Sequence, residues 1–226
     1  MRLELPSHPK ARARRSQAER RVETQAKILA AVVDSIVDRG FQRTTAQEIA
    51  QRAGVTWGAV QHHFGGKHAM MLAVLDDAFA RFAARLEGIP LDAPLAERAA
   101  RFVDGAWAHF RSRHYRASFE ILLNYLGRED LGRERDWRQC MWHAWNAVWA
   151  RLFADSCLPR RRCLTLQHFT IAVLSGLAST LMLQGDDAAL PKSELELLKD
   201  ALVRELSDGR ADATGAGPGK PLHEQR

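Results

Sequence analysis

Between Gly40 and Met70 the chain reads GFQRTTAQEIAQRAGVTWGAVQHHFGGKHAM, and its polar groups suit hydrogen bonding to base edges and phosphates. Gln47 and Gln61 can donate and accept in one plane, the geometry of an adenine edge, and either can equally serve a phosphate. Thr44, Thr45 and Thr56 combine helix capping with phosphate contact. Trp57 can pack on thymine methyls or sugar, or simply cover the turn. Adjacent His62 and His63 suggest a metal, but neighbours on a helix point ~100° apart and cannot readily chelate one ion. No metal site follows. Lys67 stands at a helix N-terminus, where a cation opposes the macrodipole by ~0.3–1 kcal/mol. A phosphate would compensate, because the helix amides and the ammonium both attract anions; a solvated lysine is the plainer reading.

These groups need two short helices and a tight turn to hold them. Thr45-x-x-Glu48 reads as a capping box, with the hydroxyl and the carboxylate each satisfying a free amide. Ala46, Ile49, Ala50 and Ala53 give that helix a small apolar face, and Gly54 follows where the backbone must turn left-handed. Val55 can plug the angle, and Thr56 caps a second helix from Trp57 to His63. The pattern is a helix-turn-helix, whose second helix lies in the major groove.

Hydrophobic spacing extends the reading in both directions. A first helix is expected from about Glu23 to Arg39, with Ile28, Leu29, Val32, Ile36 and Val37 inward and Gly40 ending it. Another runs from Lys67 to about Glu87, with Met71, Leu72, Leu75, Phe79 and Phe82 on one face. Five more follow: Leu95 to Phe110, Tyr115 to Leu126, Arg133 to Ala154, Arg161 to Leu183, and Pro191 to Leu206. Pro191 fits a first helical turn, and Gly185-Asp186-Asp187 makes the preceding loop. The expected fold is all-α with about nine helices: an N-terminal three-helix helix-turn-helix head and a C-terminal helical body. The expected division is a basic flexible arm over 1–21, a DNA-binding head over 22–82 (helix-turn-helix about 45–64), a body over 83–207 and a disordered tail over 208–226.

Composition fits. The chain has 226 residues, 46% hydrophobic but with only two Tyr, which favours helices. Net charge is +6, and residues 1–66 hold 11 Lys+Arg against 6 Asp+Glu, so nearly all the excess sits on the head. Seven of those cations lie in 1–21, which reads either as a solvated tail or as an arm following phosphates or the minor groove. Three cysteines (Cys140, Cys157, Cys163) show no metal spacing and leave one unpaired. There is no apolar signal-peptide core, and no apolar run approaches ~18 residues, so no membrane span and a cytoplasmic location are expected. No nucleophile motif, Gly-rich phosphate loop or metal triad points to an enzyme, and no cofactor is expected.

The run Arg21-x-x-Thr24-x-x-x-Ile28-Leu29-x-Ala31, Gly40-Phe41-x-x-Thr44-Thr45, Ile49-Ala50-x-x-Ala53-Gly54-Val55-Thr56-x-Gly58-Ala59-Val60-x-x-His63-Phe64-x-x-Lys67 resembles the TetR family of bacterial repressors, over about a quarter of the chain. The resemblance implies a homodimer on palindromic double-stranded operator DNA, released when a small-molecule effector enters the body. It implies DNA contacts from the polar groups named above and from Gly58, with His63 donating to a phosphate. Gln61 stands where the family usually carries Tyr, and Trp57 where a polar residue is commoner, so these two positions are where operator preference should differ. The helix beginning at Lys67 is the expected transmitter.

Two surfaces of the body remain to be read. Trp142, Trp145, Trp149 and Phe153 recur at three and four on a helix that also holds Trp137. Such a stripe can be core, or it can line the effector cavity that the resemblance implies. Trp107, Phe110, His114, Phe119 and Leu122 could complete that cavity, with Asn146, Phe169 and Val173. The ligand would be apolar or aromatic, or a cation attracted by tryptophan faces. Ala172-x-x-x-Gly176-x-x-x-Thr180 forms a stripe of small residues, and Leu177, Leu195, Leu198 and Leu202 add apolar area. This is either ordinary core or, by resemblance, a four-helix dimer interface. Two other regulatory readings stay open: a thiol sensor using Cys157 and Cys163 beside Arg160 to Arg162, and a ligand-independent DNA binder.

Overall fold

The computed structural model describes residues 16–124, 131–156, 158–184 and 189–214, with the backbone alone for 131–138, 140 and 209–214. Among these residues there are nine α-helices and no strand. The head is built from α1 (Gln17–Arg39), a 3-10 turn (Phe41–Arg43), α2 (Ala46–Ala53), α3 (Trp57–Phe64) and the first half of α4 (Lys67–Glu87). The body follows as α5 (Leu95–Phe110), α6 (Arg113–Asn124), α7 (Leu131–Leu152), α8 (Arg160–Gln184) and α9 (Lys192–Thr214). Most of the expected arm, the Gly185–Asp187 loop, Cys157 and residues 215–226 lie outside the described residues.

Helix boundaries differ from the expected ones at both ends of the chain. The first helix begins at Gln17 rather than Glu23, because Ser16 opens it with a full capping box. Its Oγ accepts from the Glu19 amide at 3.1 Å, and Glu19 Oε2 accepts from the Ser16 amide at 2.8 Å. The last helix starts just after Pro191, whose carbonyl accepts from the Leu195 amide at 3.1 Å, and it continues to Thr214 beyond the expected end at Leu206.

Two hydrophobic cores share α4. The head core gathers Ile28, Val32, Ile36, Phe41, Ile49 and Val60 around Met71 and Leu75 of α4. The body core begins on the same helix with Phe82 and Leu86 and continues through Phe102, Val103, Trp149, Leu174 and Leu202. Burying each such side chain contributes about 1.5–3 kcal/mol. α6 belongs to the body by sequence, yet Ala117 and Ile121 are buried in the head core. Close helix approach also depends on Gly105 of α5, where an added Cβ would lie 2.8 Å from Leu86 Cδ2. Polar ties close the body: buried Arg98 donates to the Leu152 carbonyl at 2.8 Å and to Asp155 Oδ2 at 2.6 Å. His109 is wedged against Phe82, Phe110 and Tyr115, with ring centroids 5.1–5.7 Å away.

α8 departs from expectation. It is long and apolar enough by length and composition to cross a membrane, although Gln167 and His168 interrupt any continuous apolar run. Only 28% of its most apolar window is buried in the subunit. Leu166, Thr170, Leu174 and Ala178 face the core, while Phe169, Ala172, Gly176, Thr180 and Leu183 are exposed.

Two stability effects follow. Gly54 caps α2 at φ 68°, ψ 32°, and nothing lies within 4 Å of an added Cβ. Gly54→Ala should therefore cost only the left-handed backbone term, about 1 kcal/mol in urea denaturation. For His109, burial and then the nearby Arg85 and His114 charges push the imidazole pKa down from 6.5 to about 4. Between those values the unfolded chain takes up a proton that the folded chain refuses. Stability should then be full above pH 6.5 and fall toward pH 4, by at most ~1.4 kcal/mol per pH unit. His109→Phe should flatten that fall between pH 7 and pH 5; an unaltered slope would assign it to other groups.

Candidate nucleic-acid interface and body cavity

The turn between α2 and α3 is made by local hydrogen bonds. The Gly54 amide donates to Gln51 O at 3.1 Å and the Val55 amide to Ala50 O at 3.0 Å, while Val55 packs against the head core. Thr56 Oγ1 accepts from the Ala59 amide at 3.2 Å and so starts α3. Thr45 Oγ1 likewise accepts from the Glu48 amide at 3.2 Å. The return half of that expected capping box is replaced: Glu48 turns to Arg39 and Arg52, both at 3.0 Å.

α3 then divides into two stripes. Trp57, Val60 and Phe64 belong to the head core, with Val60 fully buried, so Trp57 covers the turn. Gly58, Gln61 and His62, spaced by three and four, are exposed on the opposite stripe. Thr45, Gln47, Thr56 and Lys67 are exposed as well. His63 is half-buried with Nδ1 enclosed and unpartnered, its ring edge-on to His62 at 5.8 Å. Among the described residues no cluster of three or more metal-ligating side chains occurs. Thr44 differs from expectation. It is buried, its hydroxyl donates to the Gly40 carbonyl and accepts from Ser35 Oγ, both at 3.1 Å, so that group is committed inside the head.

Charge around the two stripes is biased by pairing. Arg52 binds Asp38 at 2.8 Å, and Arg113 of α6 binds Asp34 at 2.9 Å and Asp38 at 3.0 Å. Hydrogen bonds from Arg52 and Arg113 hold the Asp38 carboxyl below its ordinary range. Asp34, Asp38 and Glu48 of the head are thus each paired with an arginine. Lys67 opens α4 after Gly66, which supplies no side-chain cap, and the first turn carries no acid. Its Nζ stands 5.6 Å from the centre of the Phe41 ring.

The body contains a cavity of about 260 Å³ lined by Phe79, Phe82, His109, Phe110, Tyr115, Met141, Trp142, Trp145 and Ile171. Phe110, Trp142 and Trp145 were anticipated from sequence. The Trp stripe splits along its length: Trp142 and Trp145 face the cavity, while Trp149 and Phe153 pack with Phe102 in the core. Trp107 is core too. Asn146 is turned along its own helix, donating from Nδ2 to Trp142 O at 2.7 Å, and Val173 packs on the body core. Phe119 stacks behind Tyr115 at 6.0 Å. Leu122 and Phe169 are exposed, and His114 lines a separate recess with Arg81, Arg85 and Ser112. Phe79 and Phe82 were missed as lining because their spacing on α4 reads as plain core. His109, Tyr115, Met141 and Ile171 carried no periodic signal. Tyr115 is buried deeply enough to push its phenol up to about 12.

The expected dimer residues also divide. Ala172, Gly176 and Thr180 are exposed and Leu177 is half-buried, whereas Leu195, Leu198 and Leu202 are consumed inside the subunit, where α9 packs on α5. Cys163 is a free, half-buried thiol whose Sγ accepts from Gln167 Nε2 at 3.4 Å.

Residues 28–74 match the family model for bacterial regulatory proteins of the tetR family. An uncharacterised HTH-type transcriptional regulator of Mycobacterium tuberculosis is 37% identical over 84 residues, which is 35% of this chain and 43% of that protein. The HTH-type transcriptional regulator TtgR of Pseudomonas putida is 43% identical over 62 residues, 27% of this chain and 30% of that one. The aligned stretches thus span less than half the length of these relatives. Beyond the head the likeness is one of fold: the crystal structure of the transcriptional regulator FadR from Bacillus subtilis in complex with stearoyl-CoA superposes with a TM-score of 0.62 at 15% identity, covering 81% of this chain and 98% of that one. Residues 28–74 thus carry a TetR-type helix-turn-helix, and the all-helical body behind it shares the fold of solved TetR-family structures.

Proposed function

We propose that the chain is a homodimeric transcriptional regulator, a cytoplasmic repressor that binds an operator through α3 and leaves it when a small molecule occupies the body cavity. The outward stripe of α3 carries the reading. Gln61 and His62 meet base edges or phosphates, and the capped Thr45 and Thr56 together with His63 and Lys67 grip the backbone on either side. Gly58 supports close approach. Its own fold does not require glycine, since an added Cβ would meet only Thr56 Oγ1, at an ordinary 3.8 Å.

Coupling to the body is supported by two helices rather than one. α4 lines the cavity with Phe79 and Phe82 and enters the head with Leu75 and Met71. α6 lines it with Tyr115, and Glu120 Oε2 accepts from the Phe41 amide at 2.7 Å, next to the ring beneath Lys67. Gln42 Nε2 also donates to Asn124 Oδ1 at 3.1 Å. A long acyl chain with its coenzyme, the ligand in the FadR complex, exceeds a 260 Å³ space, so the effector here is smaller.

Dimerisation is supported by the outer stripe of α8. The Thr180 hydroxyl is folded back onto Gly176 O at 3.0 Å, which leaves its methyl outward beside Ala172, Phe169 and Leu183. Leu197 of α9 is 69% exposed and extends the apolar area. The unusual apolarity of α8, set against its low burial, fits a helix completed by a second copy.

Two experiments test this reading. DNA should first be selected from a random pool by the purified protein, and its affinity measured across salt. Lys67→Ala should weaken binding to every sequence and lower the salt slope by about 1. Gly58→Ala should stabilise α3 by about 0.5–1 kcal/mol yet weaken specific DNA binding. An unchanged slope with Lys67→Ala, or full affinity with Gly58→Ala, would remove these contacts. Sedimentation should give a dimer at micromolar concentration that Phe169→Glu shifts toward monomer; a monomeric wild type would overturn the α8 assignment.

A further inference from the structure

We propose that the body cavity takes an uncharged, planar aromatic molecule of one to two rings that carries a hydrogen-bond acceptor met by the Trp145 indole N–H. The inference rests on the cavity being the effector site, and it adds the chemical class. Size comes first. A dry cavity of about 150 Å³ takes benzene, so 260 Å³ suits a molecule up to the size of two fused rings. Shape agrees with that size. Phe82 and Trp145 stack with centroids 5.3 Å apart and planes 8° apart, and the pair borders the space beside Trp142 and Phe79, so the lining is chiefly aromatic. Met141 is the one flexible apolar side chain that can adjust to a ligand's edge.

Polarity narrows the class further. Trp145 is 7% exposed, lines the cavity, and has a buried Nε1 with no hydrogen-bond partner. Buried indole N–H groups usually find an acceptor, and one left unmade costs its desolvation. Trp149 Nε1 is also unpartnered, but that ring lies outside the cavity lining, edge-on to Phe102 at 5.6 Å and against Phe153 at 4.9 Å. An aromatic face can serve it as a weak acceptor. Trp145 also stands edge-on to Phe102, at 5.8 Å, but its ring, unlike that of Trp149, borders the cavity.

Charge is excluded in both directions. Among the described residues no carboxylate lines the space to hold a cation, and the Arg85 charge acting on His109 at its wall would repel one. No described Lys or Arg lines it either, and His109 is held neutral, so a carboxylate there would be unpaired. A neutral acceptor such as a ring nitrogen or carbonyl meets the Trp145 N–H without that cost.

The test uses the full-length protein at pH 7.5 without DNA, titrated with four probes built on two fused rings: quinoline, naphthalene, 2-naphthoate and 1-naphthylmethylammonium. Quinoline should bind at least tenfold more tightly than naphthalene, and both charged probes more weakly than quinoline. Trp145→Phe keeps the stacked ring and removes the donor, so it should reduce the quinoline preference to less than threefold while naphthalene still binds. Ile171→Trp fills the space and should abolish binding of all four, a control that holds even if the Trp145 variant folds poorly. Equal affinity for quinoline and naphthalene in the wild type would overturn the acceptor role. Tightest binding by 2-naphthoate would overturn the uncharged class and move the polar end past His109 toward Arg81 and Arg85. Failure of all four probes overturns the class outright. Measuring selected DNA with quinoline at saturation separates the two claims: unchanged DNA affinity defeats the regulatory reading and leaves the ligand class standing.

Discussion

Everything else in this fold depends on α4 being one uninterrupted helix that is buried in two cores at once. Met71 and Leu75 are fixed among the packed residues of the head, and Phe82 and Leu86, on the same rod, are fixed in the body. A helix rises 1.5 Å per residue and does not bend without a cause such as proline, so the two ends cannot be reoriented independently. α6 adds a second tie from the opposite direction, with Ala117 and Ile121 in the head core and the Glu120 carboxylate on the Phe41 amide. One tether would leave the head free to pivot. Two tethers define a plane, and the position of Lys67 above Phe41 follows from both.

The head was legible because its signals are local. A hydroxyl that caps, a glycine in the left-handed region and apolar residues at helical spacing each act within a few residues, and Thr56, Gly54 and Val60 perform the roles their types suggest. Where two local signals competed, the tertiary partner decided. Glu48 could return to its own helix end, but Arg39 and Arg52 offered full charges, and Thr44 faced inward because Ser35 and the Gly40 carbonyl awaited a hydroxyl. Ser16 caps α1 from within a basic stretch that reads as tail, so its capping signal is masked by composition.

The cavity was less legible for a physical reason. A pocket is the space that packing leaves, and whether an aromatic side chain borders it or fills the core depends on helices far apart in sequence. Trp145 and Trp149 occupy equivalent positions on one stripe, one turn apart, and only the convergence of Phe79, Tyr115 and Ile171 around the first makes it a wall. The same holds for α9, where Leu195, Leu198 and Leu202 look like a free apolar face until α5 covers them.

For the proposed regulation, the division of the cavity wall matters more than its composition. Met141, Trp142, Trp145 and Ile171 come from α7 and α8, whose described residues contribute nothing to the head core, while Phe79, Phe82 and Tyr115 come from two helices that do. A ligand shifts an equilibrium only by its difference in affinity for the two states. A molecule accommodated wholly by movement of α7 and α8 would fit both head positions equally and change nothing. One that spans the space from Trp145 to Phe79 and Tyr115 must press on α4 and α6 together, and these helices cannot yield without carrying Leu75, Ile121 and Glu120 with them. Charge pairs at the seam resist little, since exposed pairs such as Arg113 with Asp34 are worth ~0–1 kcal/mol each. The resistance lies in buried apolar contact, which is stiff and has few alternative arrangements. Coupling strength in this fold is therefore set by how far the ligand reaches across the cavity, more than by how tightly it is held within it.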